Sequence, residues 1–60
     1  MANILIADDE EMIRHLLRTA LGKKGHIVSE ASNGNEVMSV LNSEQIDLLI
    51  LDLVMPEKDG

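Results

Sequence analysis

Cysteine and aromatic residues are absent from this chain. Without cysteine there is neither a disulfide framework nor a zinc–thiolate site, and the redox compartment is left open. Without phenylalanine, tyrosine or tryptophan there is no platform on which nucleic-acid bases stack. Cationic side chains are scarce as well: five Lys and Arg stand against eleven Asp and Glu, for a formal charge of −6. Surfaces that grip a phosphate backbone need clustered Lys and Arg, so no direct nucleic-acid binding is expected. Long apolar runs are missing too. None approaches the roughly 20 residues needed to cross a bilayer, and the amino terminus lacks the basic, apolar and small-residue regions of a secretion signal. A chain with no membrane segment, cytoplasmic by default, is the expectation.

Size adds a further limit. Sixty residues allow one domain at most, and so short a chain hides only about 60% of the surface its unfolded form exposes. Small scaffolds usually need disulfides, a structural metal or oligomerisation. With disulfides excluded, self-association or further chain is the default expectation.

What is present is strongly patterned. Ile4-Leu5-Ile6-Ala7 is a continuous apolar run ending in Asp8-Asp9, the pattern of a short strand buried on both faces. Met12, Ile13, Leu16, Leu17, Ala20 and Leu21 then recur at helical spacing, with Glu10, Glu11, Arg14, His15 and Arg18 placed outward. Acidic residues open this helix and Lys23-Lys24 follow its end, as the helix dipole favours. Gly22 and Gly25 are stop signals. Residues 26–31 read as a second, more polar strand, and Asn33-Gly34 marks a loop. Asn33 with Glu36 resembles a capping box opening a second helix, whose buried stripe is Val37, Val40 and Leu41, with Met38 at its margin. After a polar turn at residues 42–45, residues 48–54 give the strongest strand signal of all. Met55-Pro56 ends it, because proline has no N–H for a ladder.

Strand, helix, strand, helix, strand predicts an α/β fold with a parallel sheet and right-handed crossovers. The polar second strand suits an edge, so the strand order is second, first, third: a partial flavodoxin-like βαβαβ arrangement. The third strand is then patterned for burial on both sides with a neighbour on only one. An uncovered apolar edge is a pairing hazard. Residues past Gly60 are therefore expected in the natural protein, and the chain by itself is expected to complete its sheet by self-association. A homodimer joined through the third strand, the commonest closed symmetry, would make one continuous six-stranded sheet.

In open α/β sheets, sites form beyond the carboxyl ends of the strands where strand order reverses. Asp8 and Asp9 end the first strand and Asp52 lies near the end of the third, so parallel neighbours about 4.8 Å apart bring three carboxylates to one rim. Like charges at that distance are unfavourable unless protonated, hydrogen-bonded or neutralised by a cation. Oxygen ligands with no nearby His or Cys favour a hard ion, and carboxylates sharing it with waters and a phosphate oxygen are the habit of Mg²⁺. An aspartate in such a place is suited to act as nucleophile toward phosphorus, giving a labile acyl phosphate.

At this point the chain resembles a known family. Asp8-Asp9-Glu10 after one apolar strand, and Asp52-Leu53-Val54-Met55-Pro56-Glu57-Lys58-Asp59-Gly60 after another, are similar to the signatures of the receiver domains of two-component response regulators, the CheY-like family. The likeness covers all 60 residues, Asn33-Gly34 included, and identifies the N-terminal half of such a domain. It implies that Asp52 is the phospho-acceptor, with a histidine kinase as phosphodonor. It also implies that Asp9 binds Mg²⁺ directly, Asp8 mainly through water, and Val54 through its backbone carbonyl. Met55-Pro56 and Gly60 would shape the adjoining loop. Receivers further carry a hydroxyl residue on a fourth strand and a lysine on a fifth. These 60 residues hold neither strand, and Lys58, six residues past Asp52 in a loop, is no substitute. Full phosphorylation chemistry is expected only of the intact domain, a signalling module rather than an enzyme.

Other roles compete. Asp8 and Asp9 suit a helix N-terminus, which is compatible with metal binding. Asp52 at a strand end would cap the next turn. Glu10 and Glu11 read as first-turn residues, while His15 and His26 have no partner at ligand spacing. An aspartate-nucleophile phosphatase would place a second aspartate two residues after the first, where this chain has Val54. A dinucleotide site would need a glycine-rich turn where Asp8-Asp9-Glu10 stands. The remaining alternative is a half-domain whose only behaviour is self-association.

Overall fold

The structure is a computed structural model, and it describes residues 1–52. Residues 53–60, and with them Val54, Met55-Pro56, Lys58 and Gly60, lie outside the described residues. In chain order the elements are β1 (Asn3–Ala7), α1 (Glu11–Lys23), β2 (Ile27–Ala31), α2 (Gly34–Ser43) and β3 (Leu48–Leu51). The three strands form one parallel sheet in the order β2-β1-β3. The expected partial flavodoxin-like arrangement is therefore the observed one.

β1 is central because it is apolar on both faces. Ile4, Leu5, Ile6 and Ala7 are all buried. One crossover leads from β1 out to β2 and the next leads from β2 back past β1 to β3, so a single hand of connection puts α1 and α2 on opposite faces of the sheet. Alternation along β1 then divides its side chains. Leu5 and Ala7 form a core with Ala31 and Val37, against which Val40 and Ile46 pack. Ile4 and Ile6 take the other face, toward α1.

Register is fixed at the amino end as well as along the ladders. The Ile27 N–H donates to the Ala2 carbonyl at 2.9 Å, and the Asp47 N–H donates to the Asn3 carbonyl at 2.7 Å. Asp47 accepts in return, its Oδ2 lying 2.8 Å from the Asn3 nitrogen. A one-residue slip would turn the apolar side chains of β1 to the wrong faces, so these end bonds and the burial pattern agree.

The helix ends follow local chemistry. α1 stops in a Schellman motif: the His26 N–H reaches the Leu21 carbonyl at 3.3 Å and the Gly25 N–H reaches the Gly22 carbonyl at 3.0 Å. Gly25 adopts φ +90° there, a region that penalises any Cβ. Of the two glycines read as stop signals, only Gly25 acts as one; Gly22 lies inside the helix. α2 begins at Asn33, whose side chain accepts the Glu36 N–H at 2.9 Å. Glu36 reaches back one residue further than a standard capping box, to the Ser32 N–H at 2.7 Å.

Three expectations about packing are corrected. The apolar stripe of α1 is divided: Ile13, Leu17 and Leu21 are half-buried, whereas Met12 and Leu16 are 73% and 58% exposed. On α2, Leu41 of the expected buried stripe is exposed, as is Met38 at its margin. Helical spacing marks an apolar arc wider than the part the sheet covers. Arg14, expected to face outward, is instead half-buried. No helix among the described residues is long and apolar enough to cross a membrane.

Candidate functional site

The carboxyl end of the sheet gathers the acidic residues. Each ladder runs one residue past its strand. The Asp8 N–H donates to the Ala31 carbonyl at 3.1 Å, and the Asp52 N–H donates to the Ala7 carbonyl at 3.0 Å. These bonds fix where both residues leave the sheet. As a result, one carboxylate oxygen each from Asp8, Asp9 and Asp52 lies within 4.8 Å of the others. Asp8 and Asp52 are half-buried and Asp9 is exposed. They stand at the mouth of an open groove floored by Ile6, Ile13, Leu17 and Ile50.

The donor set fits a hard cation. Oxygens around an octahedral Mg²⁺ sit about 2.1 Å from the ion, so two ligands are at most ~4.2 Å apart. A span of up to 4.8 Å is bridged either by a small closure or by a water standing in for one direct contact. Val54, whose carbonyl completes the expected ligand set, lies outside the described residues.

The local fold shapes this rim in two further ways. The Glu10 N–H donates to Asp8 Oδ1 at 2.9 Å, folding the acidic segment back on itself. α1 then starts at Glu11, and its N-cap, Glu10, makes no side-chain capping bond. Asp8 and Asp9 thus leave the helix N–H groups uncapped, and their carboxylates stay on the rim. The amino end of α1 carries partial positive charge toward that rim, which favours anionic groups there. Glu10 and Glu11 are exposed and outside the carboxylate cluster. His15 is exposed on α1, and His26 Nδ1 accepts the Ala2 N–H at 3.0 Å, a role at the start of β2.

One group near the site was not anticipated from sequence. Arg14 donates from Nη1 to the Asp8 carbonyl at 2.7 Å and from Nε to Glu30 Oε1 at 3.0 Å. Arg18 Nη1 takes the other Glu30 oxygen at 2.8 Å. The Arg18 bond first, and Arg14 with it, holds the Glu30 carboxyl below its ordinary value. The available signal was two arginines four residues apart beside the Ile13-Leu17-Leu21 arc. A helix brings such a pair onto one flank.

Comparison with known proteins agrees with this geometry. Residues 4–60 match the family of response regulator receiver domains. The probable transcriptional regulator ycf27 of Cyanidium caldarium is 47% identical over 58 residues, covering 97% of this chain and 23% of that protein. The response regulator RR06 of Streptococcus pneumoniae is also 47% identical over 58 residues, covering 97% of this chain and 27% of its own length. The transcriptional regulatory protein ResD of Bacillus subtilis is 44% identical over 57 residues, 95% of this chain and 24% of that protein. The chain spans about a quarter of the length of these relatives.

Proposed function

This chain belongs to the response regulator receiver domain family, and on that footing we propose that Asp52 is the phospho-acceptor of a two-component signalling pathway. The observation that carries the reading is the convergence of Asp8, Asp9 and Asp52 within 4.8 Å at the rim between β1 and β3. In the intact domain an Asp52 oxygen bonds to phosphorus as the P–N bond of a kinase phosphohistidine breaks. The electron pair returns to the imidazole nitrogen, which takes up a proton, and Asp52 becomes an acyl phosphate. Asp9 and Asp52 would hold Mg²⁺ directly, Asp8 would act on it through water, and Val54, outside the described residues, would add its backbone carbonyl. When bound, that ion supplies positive charge against the phosphoryl oxygens. The amino end of α1 adds to that charge, and the Glu10 N–H bond to Asp8 folds the acidic segment at the rim.

The partner is a histidine kinase and the setting is the cytoplasm. Two of the relatives above carry the names of transcriptional regulators. We assign this chain to the signal-receiving part of such a protein, with nucleic-acid contact left to other segments. The test is phosphorylation by a small acyl-phosphate donor with Mg²⁺, in a chain extended by about 60 residues to ordinary domain size. Base-labile phosphate on the parent and none on Asp52→Asn is the expected result. Equal labelling of both chains would remove Asp52 from the role.

A second reading is carried by β3. Leu48, Leu49 and Leu51 are 52%, 38% and 44% exposed beside a strand edge with no partner among the described residues. The 60-residue chain on its own forms a homodimer through this edge, antiparallel across a two-fold axis. Sedimentation of a compact monomer at micromolar concentration would defeat this reading. A dimer that Leu49→Lys dissolves would support it.

A further inference from the structure

We infer that Arg14, held in place by Glu30, is a positioning residue that sets the aim of the Asp8 and Asp9 carboxylates. The inference rests on the reading of the rim as a cation site and adds to it the device that keeps that site in shape.

Three bonds hold the acidic segment. The Asp8 N–H is tied to the Ala31 carbonyl at 3.1 Å. The Asp8 carbonyl is tied to Arg14 Nη1 at 2.7 Å. The Glu10 N–H is tied to Asp8 Oδ1 at 2.9 Å. The middle bond matters most, because the Asp8 carbonyl belongs to the peptide plane that joins Asp8 to Asp9. Holding that rigid plane, with the Asp8 and Glu10 N–H groups tied on either side of it, restrains the two backbone rotations that set where both side chains leave the chain. Without it, each of the other two bonds leaves that plane free to rotate.

Arg14 suits the task because its donors diverge. Nε meets Glu30 Oε1 at 3.0 Å while Nη1 meets the Asp8 carbonyl. A planar guanidinium holds both at a set angle, whereas a lysine ammonium offers its donors from one point. Only 16% of the Arg14 side chain is exposed, so neighbouring groups restrict its stem. Glu30 matters for a second reason. A guanidinium this near the rim is itself a rival cation for Asp8 and Asp9. Among the described residues Arg14 forms its ion pair with Glu30, which keeps it off the carboxylates. Arg18 shares Glu30 and stands 60% exposed, and among the described residues its bond at 2.8 Å reaches Glu30 alone.

The experiment compares the chain with Arg14→Met, Arg14→Lys, Arg18→Ala and Asp9→Asn, each first shown to be folded by far-ultraviolet circular dichroism. Mg²⁺ alone is titrated by calorimetry, and hydrogen exchange of the Asp9 and Glu10 amides is followed without metal. Arg14→Met is expected to weaken Mg²⁺ binding about tenfold, the lower end of what loss of an outer-shell partner costs. It is also expected to speed exchange at Asp9 and Glu10. Arg14→Lys should not rescue either effect, and Arg18→Ala should leave both unchanged. A purely stabilising role for Arg14 would be rescued by lysine or matched by Arg18→Ala; either result overturns the inference, as does a titration of Arg14→Met that superimposes on the parent. If the parent shows no Mg²⁺ binding that Asp9→Asn removes, the cation reading fails, and exchange alone decides the positioning role: faster exchange in both Arg14 variants upholds it and unchanged exchange overturns it.

Discussion

β2 and β3 flank the same central strand in the same parallel sense, yet one flank is closed and the other open. Beside β2, both helices pack on the sheet, Ala31 is buried, and Glu30 ties the strand to α1 through two arginines. Ser29 reaches Glu44 at the end of α2 at 2.8 Å. Beside β3 neither helix makes a close approach among the described residues, and three of its four leucine and isoleucine side chains are exposed. The more polar strand is the better covered. Hydrophobicity alone therefore does not tell which strand a short chain manages to bury; the order of crossovers decides where its two helices can lie.

The largest expected effect tests that contrast directly. Leu5→Ala empties a fully buried position on β1 and should cost about 3 kcal/mol, enough to unfold much of so small a chain. Leu49→Ala at the open flank should cost under about 1 kcal/mol in solutions dilute enough to keep the chain monomeric. Urea titrations followed by far-ultraviolet circular dichroism measure both. A Leu49→Ala cost that grows with protein concentration would mean that β3 becomes covered, as the proposed homodimer requires.

Smaller effects sharpen the closed flank, at the junction where α1 delivers the chain to β2. Gly25→Ala forces a Cβ into φ +90° and should destabilise by about 1 kcal/mol or more. Gly22→Ala, with nothing within 4 Å of the new Cβ, should stabilise by about 1 kcal/mol because alanine is the better helix former. Opposite signs three residues apart would confirm that only Gly25 ends the helix; thermal unfolding of the two variants shows this.

The smallest effect is a pH dependence. Glu30 has its carboxyl lowered from 4.5, chiefly by the Arg18 bond and then by Arg14. Its contribution to stability is therefore complete above about pH 4.5 and is lost as pH falls through the lowered folded value. Glu30→Gln should remove that part of the acid sensitivity and leave the rest, as unfolding curves between neutral and acid pH would record.

Much of this was legible from the residues because it is local. The apolar run of β1 and the Asp8-Asp9 pair that ends it need only their neighbours to be understood, and the Asn33–Glu36 cap closes within four residues. The convergence on Asp52 needed one more step, the parallel strand order, and that order follows from strand polarity. What escaped was non-local. Periodicity marked a broad apolar arc on α1, but which part meets the sheet depends on how the helix is rolled. That roll exposes Met12 and Leu16 and turns Arg14 inward to Glu30, 16 residues away in the chain.

The central claim is that acidic groups leaving β1 and β3 share one ion. Amide spectra recorded while Mg²⁺ is added test it most directly. The account predicts that Asp8, Asp9 and Asp52 shift together along a single binding curve, and that Asp9→Asn or Asp52→Asn abolishes the response at both strand ends. Shifts confined to one strand end, or a response at Asp8 that survives Asp52→Asn unchanged, would contradict it.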